Sequence, residues 1–180
     1  RVYFGMIPML SRFYCIIDNS VHFWSVNPNE ESDPDTFIEE ESTIISCVSS
    51  GQINPNVLDE KECIGVIIYG TDVLMRIIPV SDKSISYRSS IEIRLKFIPT
   101  AFYTSKSGTI FMSSHDGEIY SLKYFFIENT QFIETEITKL TRNTFLESLE
   151  SFFSPSARVL QLAIDEETQI LASLDSESVI

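Results

Sequence analysis

The chain has 180 residues, 43% of them apolar, and a formal net charge of −13 at pH 7. This length suits one large domain that needs no disulfide or metal for stability, and no apolar run approaches the roughly 20 residues of a membrane-spanning helix. The acidic excess disfavours a nucleic-acid-binding face, which needs clustered Lys and Arg, and it disfavours simple electrostatic attachment to anionic lipid.

The N-terminal part of the sequence predicts an apolar lead-in and then a β-hairpin. Residues 1–10 are mostly apolar, and residues 14–17 and 21–24 are β-prone runs on either side of a polar turn. Residues 27–41 contain two prolines and seven carboxylates. That composition predicts a solvated loop, with docking of a basic partner or a Ca²⁺ ion as alternatives. Residues 43–48 predict the next strand.

Two further strand–turn–strand units follow. Residues 65–78 form the first, and residues 109–124 form the second around Asp116-Gly117, a strong hairpin turn because Gly tolerates positive φ. Between these units, residues 91–97 alternate apolar and polar side chains, which predicts a strand with one buried face. We expect residues 102–103 to continue that same blade.

The C-terminal third predicts a fourth unit after an interruption. Residues 131–138 alternate and are predicted to be the outer strand of the third unit. Residues 139–155 break the β pattern, and residues 158–164 resume it. Residues 169–174 and 179–180 then predict the last hairpin.

Residues 139–155 predict an amphipathic helix. A capping box begins at Thr144, and Pro155 ends the segment. The bulky apolar side chains gather on one arc of the helix, opposite a face of mainly Ser and Thr. They are Phe145, Leu146, Leu149, Phe152 and Phe153. This composition suits insertion into packing defects of a curved bilayer, and packing of the helix on the protein's own sheets is the alternative.

The four units recur at intervals of roughly 45 to 60 residues, the spacing of β-propeller blades. We therefore predict an all-β fold with about four blades of a larger β-propeller, for which seven blades are expected, and one amphipathic helical insertion. The chain has no initiator Met and stops at Ile180 where a strand begins. We expect residues 1–180 to be a partial N-terminal propeller domain of a longer chain.

Residue types that carry catalysis are sparse. His22 and His115 are the only histidines, and His115 is predicted to lie on a tight turn, where it and the adjacent Asp would point apart. No nucleophile elbow, phosphate-binding loop, dinucleotide fingerprint or metal-ligand spacing occurs. Cys15, Cys47 and Cys63 are scattered, which predicts reduced thiols in a nucleocytoplasmic protein. We expect no enzyme activity, cofactor, metal site, small-molecule substrate or nucleic-acid partner. A propeller hydrolase with convergent carboxylates or histidines at its central channel is one alternative.

Four motifs, in order, carry a family resemblance. The first motif is Gly5-Met6-Ile7-Pro8 with Arg12 and residues 17–24, and the second is residues 66–74. The third is residues 107–124, with its matches at Gly108, Ile110, Phe111, Asp116, Gly117 and Tyr120. The fourth is residues 160–171. In these motifs the chain resembles the N-terminal β-propeller of the inner-ring scaffold nucleoporins, the non-FG nucleoporins of the one-fifty-five type.

The resemblance implies a non-enzymatic scaffold subunit of the nuclear pore complex at the nuclear envelope. Such nucleoporins pair the propeller with a long α-solenoid, and a loop between strands contacts the curved pore membrane as an amphipathic lipid-packing sensor. That loop corresponds to residues 139–154, which implies membrane contact through the apolar helix face named above. The implied partners are other inner-ring and pore-membrane nucleoporins. A soluble propeller adaptor that binds proteins without membrane contact is the main alternative.

Overall fold

The structure, a computed structural model, places β-strands along nearly the whole described chain. It describes residues 2–27, 33–40, 43–58, 63–72, 74–81, 85, 90–127, 132–140, 159–165 and 170–175. Within these ranges the helical structure is a single 3₁₀ turn, Pro8–Leu10, and no helix is long and apolar enough to cross a membrane.

The strands form four antiparallel sheets, each from one contiguous stretch of chain. Sheet 1 contains β1 (Val2–Ile7), β2 (Arg12–Ile17), β3 (Ser20–Ser25) and β4 (Asp35–Ile38). Sheet 2 contains β5 (Ile45–Gly51), β6 (Gly65–Thr71), β7 (Leu74–Val80) and β8 (Ile91–Arg94). Sheet 3 contains β9 (Pro99–Thr104), β10 (Ile110–Ser114), β11 (Ile119–Phe126) and β12 (Ile133–Lys139). Sheet 4 contains β13 (Val159–Asp165) and β14 (Ile170–Asp175).

The sheets have the topology and stacking of propeller blades, so the predicted fold class is confirmed. In the three four-stranded sheets each strand pairs with the next one along the chain. The first strands lie side by side from sheet to sheet, with β5 against β9 and β9 against β13. The innermost strands of successive blades are arranged in this way around a propeller axis.

Sheet 2 is buried on both faces, and β6 shows how the sequence achieves this. Ile67 and Tyr69 pack into a core shared with sheet 1, whereas Val66 and Ile68 pack into a core shared with sheet 3. All four side chains are fully buried. A strand covered on both faces needs apolar residues at every position, which explains why this stretch is continuously hydrophobic rather than alternating.

Sheet 1 is covered on one face only. Its cross-strand register places Phe4 beside Cys15 and then His22, and Met6 beside Phe13 and then Trp24, on the face turned away from sheet 2. This open face exposes large apolar side chains. They are Val2, Phe4, Met6, Phe13, Ile17 and Trp24.

Antiparallel strand pairing confirms three of the predicted hairpins, β2–β3, β6–β7 and β10–β11. In the β10–β11 turn, Gly117 has a φ of 79°, the left-handed conformation that Gly adopts without strain. In the β6–β7 turn, the Thr71 hydroxyl accepts from the Leu74 amide at 3.0 Å and donates to the Leu74 carbonyl at 3.1 Å. The last predicted hairpin includes residues 179–180, which lie outside the described residues.

Three expectations were wrong in detail. Residues 27–41 are not only a loop, because β4 forms there on pairing with β3 and buries Phe37 against Phe23. Residues 1–10 include a strand, β1, that pairs with β2. Residues 102–103 belong to β9, which pairs with β10 and opens sheet 3 instead of continuing sheet 2.

Candidate functional site

The five predicted membrane-contact residues lie outside the described residues, within residues 141–158. The strands on either side of that segment are described. At the end of β12, the Lys139 ammonium lies 3.0 Å from the Glu118 carboxylate, and the Leu140 amide donates to the Ile119 carbonyl at 2.8 Å. The end of β12 therefore lies beside the β10–β11 turn, and residues 141–158 connect it in the sequence to β13.

His22 lies on β3 of sheet 1 and His115 lies on the turn between two strands of sheet 3, so the two histidines do not form a catalytic group together. The His22 ring on β3 hydrogen-bonds the hydroxyls of Ser20 at 3.2 Å and Thr36 at 2.9 Å, and it stacks on Trp24. His115 lies exposed on the β10–β11 turn. Its Nδ1 lies 3.9 Å from the carboxylate of Asp116, so the expectation that these two side chains point apart is wrong. Within the described ranges, no three or more His, Cys, Asp and Glu side chains are grouped as metal ligands would be.

A cleft of about 670 Å³ opens between sheets 1 and 2. It lies where β4 ends, opposite the outer strands β7 and β8 of sheet 2. The lining residues come from both sheets. They are Ile38, Glu39, Glu40, Thr43, Leu74, Arg76, Glu92, Arg94 and Leu95.

A buried ion-pair network forms one wall of this cleft. Arg76 donates from Nε and Nη2 to the two carboxylate oxygens of Glu39, the second at 3.2 Å, and from Nη1 to Glu92 at 2.8 Å. The Tyr69 hydroxyl donates to the same Glu39 carboxylate. The Asn19 side-chain amide donates to the Glu39 backbone carbonyl at 2.8 Å, which holds the end of β4 in place.

The Glu39 side chain is only 6% exposed and that of Arg76 is 14% exposed, so both charges are largely removed from water. Burial by itself raises the pKa of the Glu39 carboxyl, but the hydrogen bonds from Arg76 and Tyr69 and the charge of Arg76 lower it by more. The pKa therefore lies below its usual range, and Glu39 is ionised at neutral pH. Glu39 and Arg76 are consequently a fixed pair of opposite charges.

The charges at the rim of the cleft, unlike those of the network, are exposed to solvent. Glu40 and Arg94 are exposed, and within the described residues neither side chain has an ion-pair partner. Lining carboxylates outnumber guanidinium groups by three to two. Sequence reasoning placed Glu39 and Glu40 in a solvated acidic loop and missed this site. The alternation of apolar and polar residues in β8 could have indicated it, because this alternation places Glu92 and Arg94 together on the polar face of a strand.

The comparisons with known proteins agree with this architecture. The nucleoporin N-terminal family model described as Nup133 N terminal like matches residues 1–180. No curated protein matches the chain.

One solved structure that matches is the complex of the Chaetomium thermophilum Nup170 N-terminal domain with Nup53. It is similar at a TM-score of 0.70 and 17% sequence identity, over 97% of this chain and 25% of that chain. At this identity the likeness establishes a shared fold. The present residues span about a quarter of the length of the matched chain.

Proposed function

Since the chain belongs to the nucleoporin N-terminal family of the Nup133 type, we propose that it is a structural component of the nuclear pore inner ring. In this proposal the propeller contacts the curved pore membrane at the nuclear envelope, and it has no enzymatic role. One observation carries the membrane contact. Residues 141–158 connect the outermost strand of sheet 3 to β13, and they contain five bulky apolar side chains beside Ser and Thr.

The energetics favour membrane contact through many copies. Full burial of a bulky apolar side chain contributes about 1.5–3 kcal/mol, so five contribute about 7.5–15 kcal/mol. Ordering a dozen residues costs about 1–2 kcal/mol per residue, which offsets this gain. A single copy therefore binds weakly, whereas a ring that holds many copies binds firmly because each attachment raises the effective concentration of the next.

The test is liposome flotation of the full-length protein with Phe152 and Phe153 both replaced by Asp. Small phosphatidylcholine vesicles should bind the wild type, and the variant should lose that binding because two charges replace the apolar anchor. Phe125 and Phe126 are the matched control. They form a second adjacent pair on β11, 39% and 42% exposed, and replacing both with Asp makes the same change in charge. Unchanged binding by the first variant would refute the membrane contact and favour the soluble adaptor.

We further propose that the chain contacts other nucleoporins. The support is that the Chaetomium Nup170 N-terminal domain was crystallised with Nup53. The measurement is proximity labelling from the full-length protein in cells. Labelling confined to proteins outside the nuclear pore would count against the inner-ring assignment.

We also propose that residues 1–180 are part of a larger propeller in which another sheet covers the open face of sheet 1. The support is the exposure of this face, with Phe4 84% exposed and Val2 62% exposed. In the full-length protein, Phe4→Asp should then destabilise the fold by several kcal/mol, because it would place a charge inside a sheet–sheet contact. A change within about 0.5 kcal/mol, as expected for a surface position, would show that this face is free.

A further inference from the structure

The hairpin between β11 and β12 ends in a group of exposed apolar side chains. The last strand pair is Phe126 with Ile133, and the Ile127 amide then donates to the Phe132 carbonyl at 2.9 Å. Four large apolar side chains lie at this end of the hairpin, and they are between 39% and 74% exposed. They are Phe125, Phe126, Ile127 and Phe132, and we call them the apolar tip.

The neighbouring blade is in place beside Phe126 and does not cover it. Side chains alternate between the two faces of a strand, so Phe126 lies on the same face as Leu122 and Tyr124, which pack into the core shared with sheet 2. Sheet 2 has four strands, and Phe126 is nevertheless 42% exposed. By the same alternation Phe125 lies on the opposite face, so one neighbouring blade cannot cover both side chains. In this respect the apolar tip differs from the open face of sheet 1.

The exposed area of the apolar tip is large enough for a binding surface. Its four side chains together expose about as much surface as two complete side chains, or roughly 400 Å² at about 200 Å² for an aromatic side chain. The largest apolar patch on a typical monomeric protein covers about 300–600 Å² and is often functional. Phe132 contributes most, since it is 74% exposed. Because the tip is the end of a hairpin, it fits into a groove of a partner and does not itself form one.

Two carboxylates next to the apolar tip determine the chemistry of that partner. Glu134 lies directly opposite Phe125 in the register of β11 and β12, and Glu136 follows on the same face of β12, opposite Lys123. Both glutamates are exposed, and within the described part of the chain neither forms an ion pair. Insertion of Phe125 into a bilayer would take the Glu134 carboxylate out of water without a counter-ion, which is unfavourable. A protein that offers Lys or Arg at this position pairs with the carboxylate instead.

From these features we propose that the apolar tip inserts into a groove of a different protein, and that this groove has an apolar floor and Lys or Arg at its rim. A second copy of this chain is a poorer partner, because it has the same net charge of −13 and the cleft between sheets 1 and 2 is lined by more carboxylates than guanidinium groups. The tip and Lys139 lie at opposite ends of β12, roughly 20 Å apart at about 3.3 Å per residue. The inference therefore concerns a surface other than the proposed membrane contact and does not depend on it.

The experiment begins with photo-crosslinking of the full-length protein in living cells, with the photoreactive amino acid p-benzoylphenylalanine in place of Phe132. Mass spectrometry should identify a cross-linked peptide of a different protein, and this peptide should line an apolar groove with Lys or Arg at its rim. The same amino acid in place of Lys96, which is exposed just after β8, is the control and should not give this product. Isothermal titration calorimetry with the purified partner then measures its affinity for variants of the full-length protein. Phe132→Ala should weaken binding by about tenfold or more.

Glu134→Lys should weaken binding by about tenfold at low salt and by less at high salt. Glu40→Lys is the matched control, since it makes the same charge reversal at an exposed position after β4, and it should leave the affinity unchanged. The proposal is overturned if the cross-links form only with lipid or with a second copy, if the cross-linked surface is acidic, or if Phe132→Ala and Glu134→Lys bind as the wild type does. Liposome flotation tests the membrane contact separately. The variant with Phe125 and Phe126 replaced by Asp should lose the partner and keep the liposomes.

Discussion

Replacing Arg76 with Met should destabilise the protein strongly at neutral pH, because the substitution leaves Glu39 as a buried carboxylate without a counter-ion. At the 3.2 Å separation of Arg76 Nη2 and Glu39 Oε2, the Coulomb attraction is about 5 kcal/mol at an effective dielectric constant of about 20. Desolvation of the two charges offsets much of this in the wild type. Breaking a buried pair from one side nevertheless costs about 3–5 kcal/mol, since the remaining charge keeps its desolvation penalty.

The pH dependence gives the prediction a second, independent signature. In the wild type the pKa of Glu39 is lowered from its ordinary 4.5. A lowered carboxyl pKa contributes stability above the unfolded pKa, and this contribution is lost as the pH falls through the folded pKa. In Arg76→Met, burial without the cation raises the pKa of Glu39 above 4.5, so its protonation relieves the buried charge. The deficit of the variant relative to the wild type should therefore shrink as the pH falls from 7 towards 5.

The assay is urea unfolding of the full-length protein at several pH values, with Arg76→Met compared with the double variant Glu39→Gln, Arg76→Met. The double variant keeps a side-chain oxygen that can accept from Tyr69, and it removes the buried negative charge. It should therefore recover at least half of the stability that the single variant loses at pH 7. Equal losses in the single and double variants, with a deficit independent of pH, would refute the reasoning that an uncompensated charge at Glu39 is the cause.

Two further predictions concern the core. The Tyr124 hydroxyl is buried without a hydrogen-bond partner in the described residues, so Tyr124→Phe should leave stability unchanged or raise it by up to about 1–3 kcal/mol at pH 7 in thermal unfolding. Burial raises the pKa of Tyr124 to about 12. The wild type should therefore lose more stability than Tyr124→Phe as the pH rises from 10 to 12, and parallel curves would contradict this assignment. Gly70→Ala should lower stability by about 1–3 kcal/mol, because the new methyl group would overlap the Pro99 ring of β9; an unchanged Tm would show that sheets 2 and 3 are not in such close contact.

Local sequence signals predicted the hairpins between the second and third strands of sheets 1 to 3. In the β10–β11 hairpin, Asp116-Gly117 supplies the turn and the flanking residues are β-prone, so the information lies within a few consecutive positions. The repeat of such hairpins was sufficient to predict propeller blades. The apolar face predicted for residues 145–153 stays a prediction, because those residues lie outside the described part of the chain.

The cleft could not be predicted in the same way. Glu39 is followed by two more glutamates and reads as solvent-exposed, yet it is buried because Tyr69 and Arg76, 30 and 37 residues further along the chain, supply its hydrogen bonds. The strand β4 likewise forms on pairing with β3 and burial of Phe37 against Phe23. No short window of sequence contains these partners.

The sequence by itself determined that the chain folds into β-hairpins and where those hairpins turn, because turn conformation and side-chain alternation depend on neighbouring residues. Only the tertiary structure decided that β1 and β4 are the two edge strands of sheet 1. It also decided that Pro99–Thr104 is the first strand of sheet 3. It decided further that Glu39, in an acidic stretch of the sequence, is buried in an ion pair with Arg76. Strand pairing and the burial of an ion pair involve residues that are far apart in the sequence. They therefore contribute to stability only in the folded chain, where those residues are in contact.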